Sequence, residues 1–339
     1  MKKKLLPPIE QMAVKSDAKV DKLQIENKLI KKKYKILLNE NRSLENLLNA
    51  KESDDLKPFE IRIGKGSNDE AIAFIILSDW HVDEIITAVS VNGYNKFNEK
   101  IAHQRIVKCF QSAVKLINIS QQDNKITELV VVLAGDFISG NIHEELLENT
   151  SMLPMDAMLF AQDHIASGIK FLLGNTDVKI SAVCAVGNHS RITDKVHIST
   201  EQGNSLEYFM YHNLARFFAT EKRITFQMEK SYHQYIKVYG KKIRVHHGHA
   251  MSFGGGVGGI TIPINKAIAQ WNKMTPVWLD IFGHFHQHFD GGNFVANNSL
   301  IGYSPYAIRI KASPSKPSQA FFLIHKKYGK IMNTPIAVE

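Results

Sequence analysis

Five short segments of the sequence carry side chains that could bind a metal ion, and each follows an apolar run. In chain order they are Asp79-Trp80-His81, Gly135-Asp136, Gly187-Asn188-His189, His247-Gly248-His249 and Gly283-His284-Phe285-His286. One such His or Gly-Asp alone is usually a solvated residue or a turn. Five in succession predict a common cleft, because open α/β sheets bind their ligands at the carboxyl ends of the strands.

The side chains of these segments are carboxylates, imidazoles and one amide, without a thiolate. This mixed set suits Mn²⁺ first, with Fe²⁺ or Zn²⁺ also compatible, and it excludes an iron–sulfur cluster. So many ligands would overfill one ion. They suit two divalent metal ions ~3.5–4 Å apart that share a carboxylate and a water molecule. Such a pair produces a hydroxide nucleophile at neutral pH and binds the oxygens of a phosphoryl group during in-line displacement.

The apolar runs predict the strands that position these side chains. Residues 129–133 are β-branched or apolar, which is typical of a strand buried on both faces, and Asp136 follows after a Gly. Strands alternate with helices in the first half and follow one another in the second, which predicts an α/β fold with two packed sheets. The predicted strands are a short one at 59–63, then 71–77, 129–133, 178–186, 224–228, 234–239, 242–245 and 277–282, with three more between 289 and 325. The predicted helices are 100–119, 146–173 (interrupted near Pro154), 203–219 and 263–271.

In order and spacing, the five segments resemble the signature of the calcineurin-like metallophosphoesterases, over about residues 71–290. The resemblance implies a four-layer α/β/β/α sandwich of two mixed sheets. It implies that His189 stands over the leaving group as proton donor or phosphate-stabilising residue. It also implies that His247, not His246, is a ligand, because the family places the ligand immediately before the Gly. One metal ion would be held by Asp79, His81, Asp136 and His286, and the other by Asp136, Asn188, His247 and His284.

Three further residues bear on the catalytic and substrate-binding roles. The family usually carries Asp or Glu after the Gly-Asn-His to orient the His, whereas this chain has Ser190. Its hydroxyl can accept a hydrogen bond but cannot stabilise an imidazolium as a carboxylate does. Arg191 is a candidate phosphate clamp, although a surface Arg in a loop fits this position equally well. His249 resembles a substrate-facing residue or one that supports the ligands from outside.

The first part of the chain has a different pattern. We expect a basic tail over residues 1–18, a coiled-coil helix with its linker over 19–57, and the metallophosphoesterase domain over 58–339. Asn at the second heptad position is used by parallel dimers to fix register, so the pattern predicts a homodimer. A single amphipathic helix lying on the globular body is the alternative. Leu23, Ile30, Leu37 and Leu44 recur at seven-residue spacing, with Val20, Asn27, Tyr34, Asn41 and Leu48 at the second core position.

Composition narrows the class of protein further. The 339-residue chain has a net charge of +9, of which residues 1–57 carry five by count, so a nucleic-acid partner is compatible with the globular part but not required.

No apolar run approaches the ~20 residues needed to cross a bilayer, so we expect no membrane association. The start is basic but lacks the apolar segment of a signal peptide. Cys109 and Cys184 lie in apolar runs, which predicts two buried thiols in a reducing cytoplasm.

Two other segments are similar to metallophosphoesterases encoded in tailed-phage genomes, namely 136–143 and the Gly-rich 254–259. If the chain is phage-encoded, the cytoplasm is that of the host. The Gly-rich segment lacks the Lys-Ser/Thr ending of a phosphate-binding loop. A flexible lid or a close-packed turn is the preferred interpretation, and a phosphate cradle is the alternative.

Three functions fit this sequence. The leading hypothesis is a dinuclear-metal-dependent phosphodiesterase or nuclease that hydrolyses nucleic-acid or nucleotide phosphodiesters by metal-activated hydroxide. The second is a phosphomonoesterase acting on a phosphoprotein or a small molecule, with the same chemistry at the metal ions. The third is an assembly module without catalysis that acts through its coiled coil, against which the complete ligand set argues.

Overall fold

The computed structural model describes residues 8–51, 69–142, 144–252 and 259–339. The chain divides into two compact units, Met1–Ile63 and Gly64–Glu339. Several predicted features lie outside the described residues: the strand at 59–63, nearly all of the linker, His143 and residues 254–258 of the Gly-rich segment.

The first unit contains one long helix, α1 (Pro8–Lys51, 44 residues). It begins earlier than the predicted start at residue 19, so the predicted tail is partly helical. A Pro at the first position suits a helix start, because its missing N–H would be unsatisfied there in any case.

The second unit is built on a six-stranded sheet with the order β11-β10-β1-β2-β3-β4. Strands β1 to β4 run parallel, whereas β10 pairs antiparallel with β1 and β11 pairs antiparallel with β10. The carboxyl ends of β1, β2 and β3 therefore meet at one edge. The strands are β1 (Glu70–Leu77), β2 (Lys125–Leu133), β3 (Lys179–Cys184), β4 (Ile224–Gln227), β10 (Ser318–His325) and β11 (Gly329–Ala337).

A second sheet of five strands has the order β5-β6-β7-β9-β8. Its central pairs β6/β7 and β7/β9 are parallel, and the outer pairs β5/β6 and β8/β9 are antiparallel. The strands are β5 (Gln234–Val238), β6 (Lys241–Val245), β7 (Leu279–Phe282), β8 (Phe289–Asp290) and β9 (Phe294–Ala296).

Three apolar clusters join these sheets and their helices into four layers. Alternate residues of β1 point to opposite faces, as the period of two in a strand requires. The helices are α2 (Glu99–Ser120), α3 (Glu144–Glu148), α4 (Pro154–Asn175), α5 (Leu206–Phe217), α6 (Thr261–Trp271) and α7 (Pro305–Arg309). Ile75 packs with helices α2, α4 and α5 on the outer face, whereas Phe74 and Ile76 pack against the second sheet. Helix α6 covers the far side of that sheet through Ile264 and Ile268.

The α/β/β/α sandwich of two mixed sheets is confirmed, and so is the helix break before Pro154. The prediction for the last fifty residues is incomplete, because it omits helix α7 and strand β11. Both cysteines are buried and free, as expected, and burial raises the pKa of the Cys109 thiol to about 12. No helix in the described parts of the chain is long and apolar enough to cross a membrane.

Candidate metal centre

The two sheets bring their carboxyl edges together, and backbone hydrogen bonds continue across the loops beyond them. The Asp79 N–H donates to the Gly135 carbonyl at 3.0 Å, and the Gly283 N–H donates to the His247 carbonyl at 2.9 Å. The first bond ties the loop after β1 to the loop after β2, and the second ties the loop after β6 to the loop after β7. The predicted common cleft lies at this edge.

Asp79, His81 and His286 form one group of side chains that could hold a metal ion. The Nε2 atoms of His81 and His286 lie 3.2 Å apart, and His286 Nε2 lies 3.4 Å from Asp79 Oδ1. Ligands at ~2.1 Å from one ion stand about 3 Å from each other, so these separations fit a shared cation. His81 Nδ1 bonds to the Ser139 hydroxyl at 3.0 Å, which fixes the ring with Nε2 towards the group.

Asp136, His247 and His284 form a second group. His247 Nε2 lies 2.8 Å from Asp136 Oδ2, and His247 Nδ1 donates to the Ala134 carbonyl at 2.7 Å. The structure also separates His247 from its neighbour in the way that strand alternation requires. His246 points to the other side, where it stacks on Phe282 and lies 3.5 Å from Asp280.

Asn188 and His189 complete the set of predicted site residues. Asn188 lines the same cavity as both groups, and its buried Oδ1 has no hydrogen-bond partner among the described residues. An unsatisfied buried oxygen costs about 1–3 kcal/mol, and a metal ion would satisfy it. The His189 N–H donates to Asp136 Oδ1 at 2.9 Å, and its Nδ1–H donates to the Ser139 carbonyl at 2.9 Å. The remaining nitrogen, Nε2, stands 4.0 Å from Asp136 Oδ2.

The backbone at this edge is strained. Five of the predicted ligands have φ in the left-handed region, between 47° and 69°, where residues other than Gly, Asn and Asp are uncommon. Such conformations cost on the order of 1–3 kcal/mol each and tend to occur at functional sites. They turn each side chain from the end of its strand into the cleft. The five are Asp79, His81, Asp136, His284 and His286.

Close approach explains the two glycines beside Asp136. A Cβ on Gly187 would stand 2.1 Å from Asp136 Oδ1, and a Cβ on Gly135 would stand 2.2 Å from the Gly187 nitrogen. The loops after β2 and β3 can therefore touch only because both positions lack a side chain.

Burial and neighbouring charges set the protonation states of the candidate ligands. Burial, reinforced by the neighbouring imidazoles, holds the pKa of His81 and of His284 well below the usual value, so both rings are neutral and offer a lone pair. Burial opposes ionisation of Asp136, but His247, His189 and His81 together outweigh it and hold the pKa of Asp136 well below its usual range. Burial opposes a charge on His247, but the adjacent Asp136 raises the pKa of this ring to about 10, so a metal ion would have to displace the proton on Nε2. The donor set is then two carboxylates and neutral imidazoles, which fits a divalent transition metal.

The comparisons with known proteins concern the fold. The sequence matches no protein-family model and no curated protein. An archaeal phosphodiesterase is similar over 78% of this chain and 99% of its own, at 12% identity and a TM-score of 0.36. A predicted phosphoesterase from Streptococcus pneumoniae is similar over 78% of this chain and 90% of its own, at 11% identity and a TM-score of 0.34. Vps29 from Entamoeba histolytica complexed with Zn²⁺ is similar over 78% of this chain and 99% of its own, at 13% identity and a TM-score of 0.32.

Sequence reasoning missed the residues that orient His189. The Ser190 hydroxyl bonds to the Ser205 hydroxyl at 2.8 Å. The Ser139 carbonyl orients the ring instead. Asp83 in turn holds that loop, accepting from the Ser139 N–H at 2.6 Å and the Gly140 N–H at 3.0 Å. Asp83 follows two residues after His81, but nothing in its spacing distinguishes it from an ordinary loop carboxylate.

A second missed residue is Glu207, in the first turn of α5, where an acidic side chain would normally be attributed to the helix dipole. It is fully buried, and its carboxylate accepts from the Phe137 N–H at 2.8 Å and the Gly187 N–H at 2.7 Å. Glu207 therefore joins the loop of Asp136 to the loop of Asn188. Burial, together with the charge of Asp136, raises the pKa of Glu207 to about 7.

The two candidate substrate-binding residues are largely occupied within the protein. The Arg191 guanidinium donates to the carbonyls of Asn188, Thr193 and Asp194, which braces its own loop. These hydrogen bonds are typical of a structural residue. The role of Arg191 as a phosphate clamp stays a prediction. His249 is buried and lies 3.2 Å from Glu201 through Nε2, with its ring 5.5 Å from that of His247.

A cavity of about 310 Å³ opens onto both groups. One wall is formed by the ligands themselves, and the other by the segment after His81, by part of the α3 region and by helix α7. Its described lining outside the ligands and His189 includes Glu84, Ile85, Thr87, Ser90, Leu146, Asn149, Ser304, Pro305, Tyr306 and Arg309.

We expect Asp136→Ala to lose more bound metal than Asp79→Ala. Asp136 lies 2.8 Å from His247 Nε2 in its own group, and its charge also interacts with His81 of the other group, so its removal should weaken both. Asp79→Ala removes a candidate ligand of the first group alone and should retain metal at the second. Elemental analysis of protein purified in Mn²⁺ and desalted measures this, with Asp163→Ala on the outside of α4 as the control. Equal loss in both ligand variants would contradict the special position of Asp136.

Glu207→Gln should lower the free energy of unfolding by about 1–3 kcal/mol, because the amide NH₂ would face one of the two backbone N–H groups that the carboxylate now accepts. Urea unfolding of metal-free protein measures the change. The exposed Glu148→Gln should change stability by less than about 0.5 kcal/mol. If Glu207→Gln is as stable as this control, the carboxylate does not hold the two loops together.

Proposed function

We propose that this chain is a dinuclear metal-dependent phosphodiesterase that acts on a nucleic acid or nucleotide, with Mn²⁺ as the preferred metal. The observation that carries the proposal is the pair of three-residue groups, Asp79–His81–His286 and Asp136–His247–His284, at one cavity with His189. Asp136 would help to hold both ions, because it lies 2.8 Å from His247 Nε2 and its charge also interacts with His81 of the other group. Asn188 would complete the second set.

Each residue has a defined task in this proposal. When bound, two divalent ions would supply a nucleophile from water at neutral pH and offset the negative charge of the phosphate. His189 would protonate the leaving oxygen through Nε2, because its Nδ1–H is committed to the Ser139 carbonyl. Asp83 would keep His189 in place by holding the Ser139–Gly140 backbone. His249 and Arg191 would support the loops that carry the ligands.

The proposal that the substrate is a phosphodiester rests on the cavity wall beyond the candidate metal ligands. A phosphomonoester needs only the phosphate site, whereas a diester places a second substituent against the surroundings. The cavity continues past His286 to an aromatic and a cationic side chain on α7, which suits a second substituent. A phosphomonoesterase remains the alternative function, because the ligands would act on either ester.

The Mn²⁺-loaded protein should hydrolyse bis(p-nitrophenyl) phosphate and single-stranded DNA faster than p-nitrophenyl phosphate. His189→Ala should lower kcat on the diester by a factor of about 10²–10⁴, the usual contribution of a general acid, and should leave metal content nearly intact. Steady-state kinetics and elemental analysis check both statements. A strong preference for the monoester would overturn the nuclease assignment. Metal loss in His189→Ala would overturn the role given to His189, and inactivity on all substrates with two metal ions bound would favour the assembly module.

We also propose that α1 pairs with α1 of a second copy in a parallel coiled coil. The seam residues Val20, Leu23, Ile30 and Leu37 are 47–62% exposed in the single chain, so they have apolar surface left to bury. The Asn residues at positions 27 and 41 fit the register of a dimer.

Sedimentation should show the full chain as a dimer and a chain that begins at Glu60 as a monomer. Ile30→Glu should dissociate the dimer, because it places a charge in the apolar seam. Ile25→Glu is a matched control, since Ile25 and Ile30 are both 62% exposed but Ile25 lies off the seam. A monomeric full chain would contradict the coiled coil, and dissociation by both substitutions would contradict this seam.

A further inference from the structure

Helix α7 places an aromatic ring and a cation on the wall of the cavity. Tyr306 and Arg309 are three residues apart and so lie on the same face of the helix. Both residues line the cavity, and both are exposed. The Tyr306 ring stands edge-on to the ring of the candidate ligand His286, with the centroids 5.4 Å apart. The helix therefore extends the site directly beyond the first metal group.

Arg309 is the one Lys or Arg among the described residues that line this cavity. Its guanidinium makes no hydrogen bond or ion pair with the described part of the chain, in contrast to Arg191, whose donors are taken by three carbonyls. An Arg with unused donors beside a phosphoester site is suited to a second phosphate, which it can bind through two parallel hydrogen bonds.

Tyr306 is 36% exposed although its neighbour Ala307 is buried, so part of the ring remains open to a ligand. Burial and the carboxylates of Asp79 and Asp136 raise its pKa, which keeps the hydroxyl protonated. A neutral aromatic ring in this position can stack on a nucleobase, and such stacking accepts any base.

The size of the cavity limits the form of the substrate. At about 310 Å³ it lies at the lower end of small-ligand sites, which span ~300–1,000 Å³. One nucleotide unit fits this space. A base in a duplex is paired and stacked, so stacking on Tyr306 requires an unpaired nucleotide, which the end of a single strand or a dinucleotide supplies.

We propose that Tyr306 and Arg309 form a subsite for the nucleotide next to the scissile phosphodiester, with the base on Tyr306 and its further phosphate on Arg309. This subsite rests on the proposed phosphodiesterase function and specifies its substrate as a single-stranded or dinucleotide diester that carries a flanking phosphate.

The test compares dithymidylate without a terminal phosphate with the same dinucleotide carrying a 5′ or a 3′ phosphate, using the full Mn²⁺-loaded chain. The wild type should prefer one phosphorylated form on the order of tenfold in kcat/KM. Arg309→Gln should reduce this preference to within about twofold. Lys311→Gln is the matched control, because it removes the same charge two residues away on an exposed side chain outside the cavity, and it should retain the preference.

Substitution of Tyr306 tests the stacking independently. Tyr306→Ala should raise KM for every dinucleotide on the order of tenfold, whereas Tyr306→Phe, which keeps the ring, should stay within about threefold of wild type. Equal losses in the two variants would overturn stacking.

The outcomes separate this inference from the proposed function. Hydrolysis of dinucleotides with no preference for a flanking phosphate, or a preference that persists in Arg309→Gln, overturns the subsite and leaves the phosphodiesterase standing. Failure of the wild type on every diester, including bis(p-nitrophenyl) phosphate, overturns the proposed function and the subsite with it.

Discussion

The site depends on two carboxylates, Asp79 and Asp136, that are buried at the ends of strands in the middle of a sheet. A buried charge is costly unless it is paired and hydrogen-bonded. The protein meets this requirement with backbone N–H groups, since Asp79 accepts from His284 N and Asp136 accepts from His189 N, and with imidazoles around each carboxylate. No Lys or Arg side chain among the described residues pairs with either of them. The positive charge must come from protonated His, as at His247, or from cations.

That requirement explains why the loops are built so tightly. The N–H groups that satisfy Asp79 and Asp136 belong to the loops after β7 and β3. Asp136 therefore joins two neighbouring strands of one sheet, whereas Asp79 joins the first sheet to the second. Gly187 permits this contact at Asp136, and Glu207 satisfies the N–H groups of Phe137 and Gly187 from behind. The strain of five left-handed ligand residues is tolerated because the four-layer core fixes both ends of these loops.

The sequence alone predicted the parts that depend on local pattern. Asp136 follows the apolar residues 129–133 that end β2, so its placement could be read from the order of residues. Alternation beyond the end of β6 puts His246 and His247 on opposite sides, and the resemblance to the family selects His247. Helix α7 could not, because five residues are too few to show a helical period. Strand β11 contains Pro335, which argues against a central strand and is acceptable here only because β11 lies at the sheet edge. Glu207 and Ser139 act through backbone contacts made by folding, which no spacing encodes.

The orientation of His189 follows from the same packing and bears on the chemistry. A carboxylate partner would both hold the ring and stabilise its charged form, whereas the Ser139 carbonyl holds the ring with only a partial charge. Asp136 Oδ2 lies 4.0 Å from the other ring nitrogen, Nε2, so this carboxylate stands beside the ring but does not hold it through Nδ1. The position of His189 is therefore set by the fold of the Ser139 loop and not by the residue that follows it in sequence.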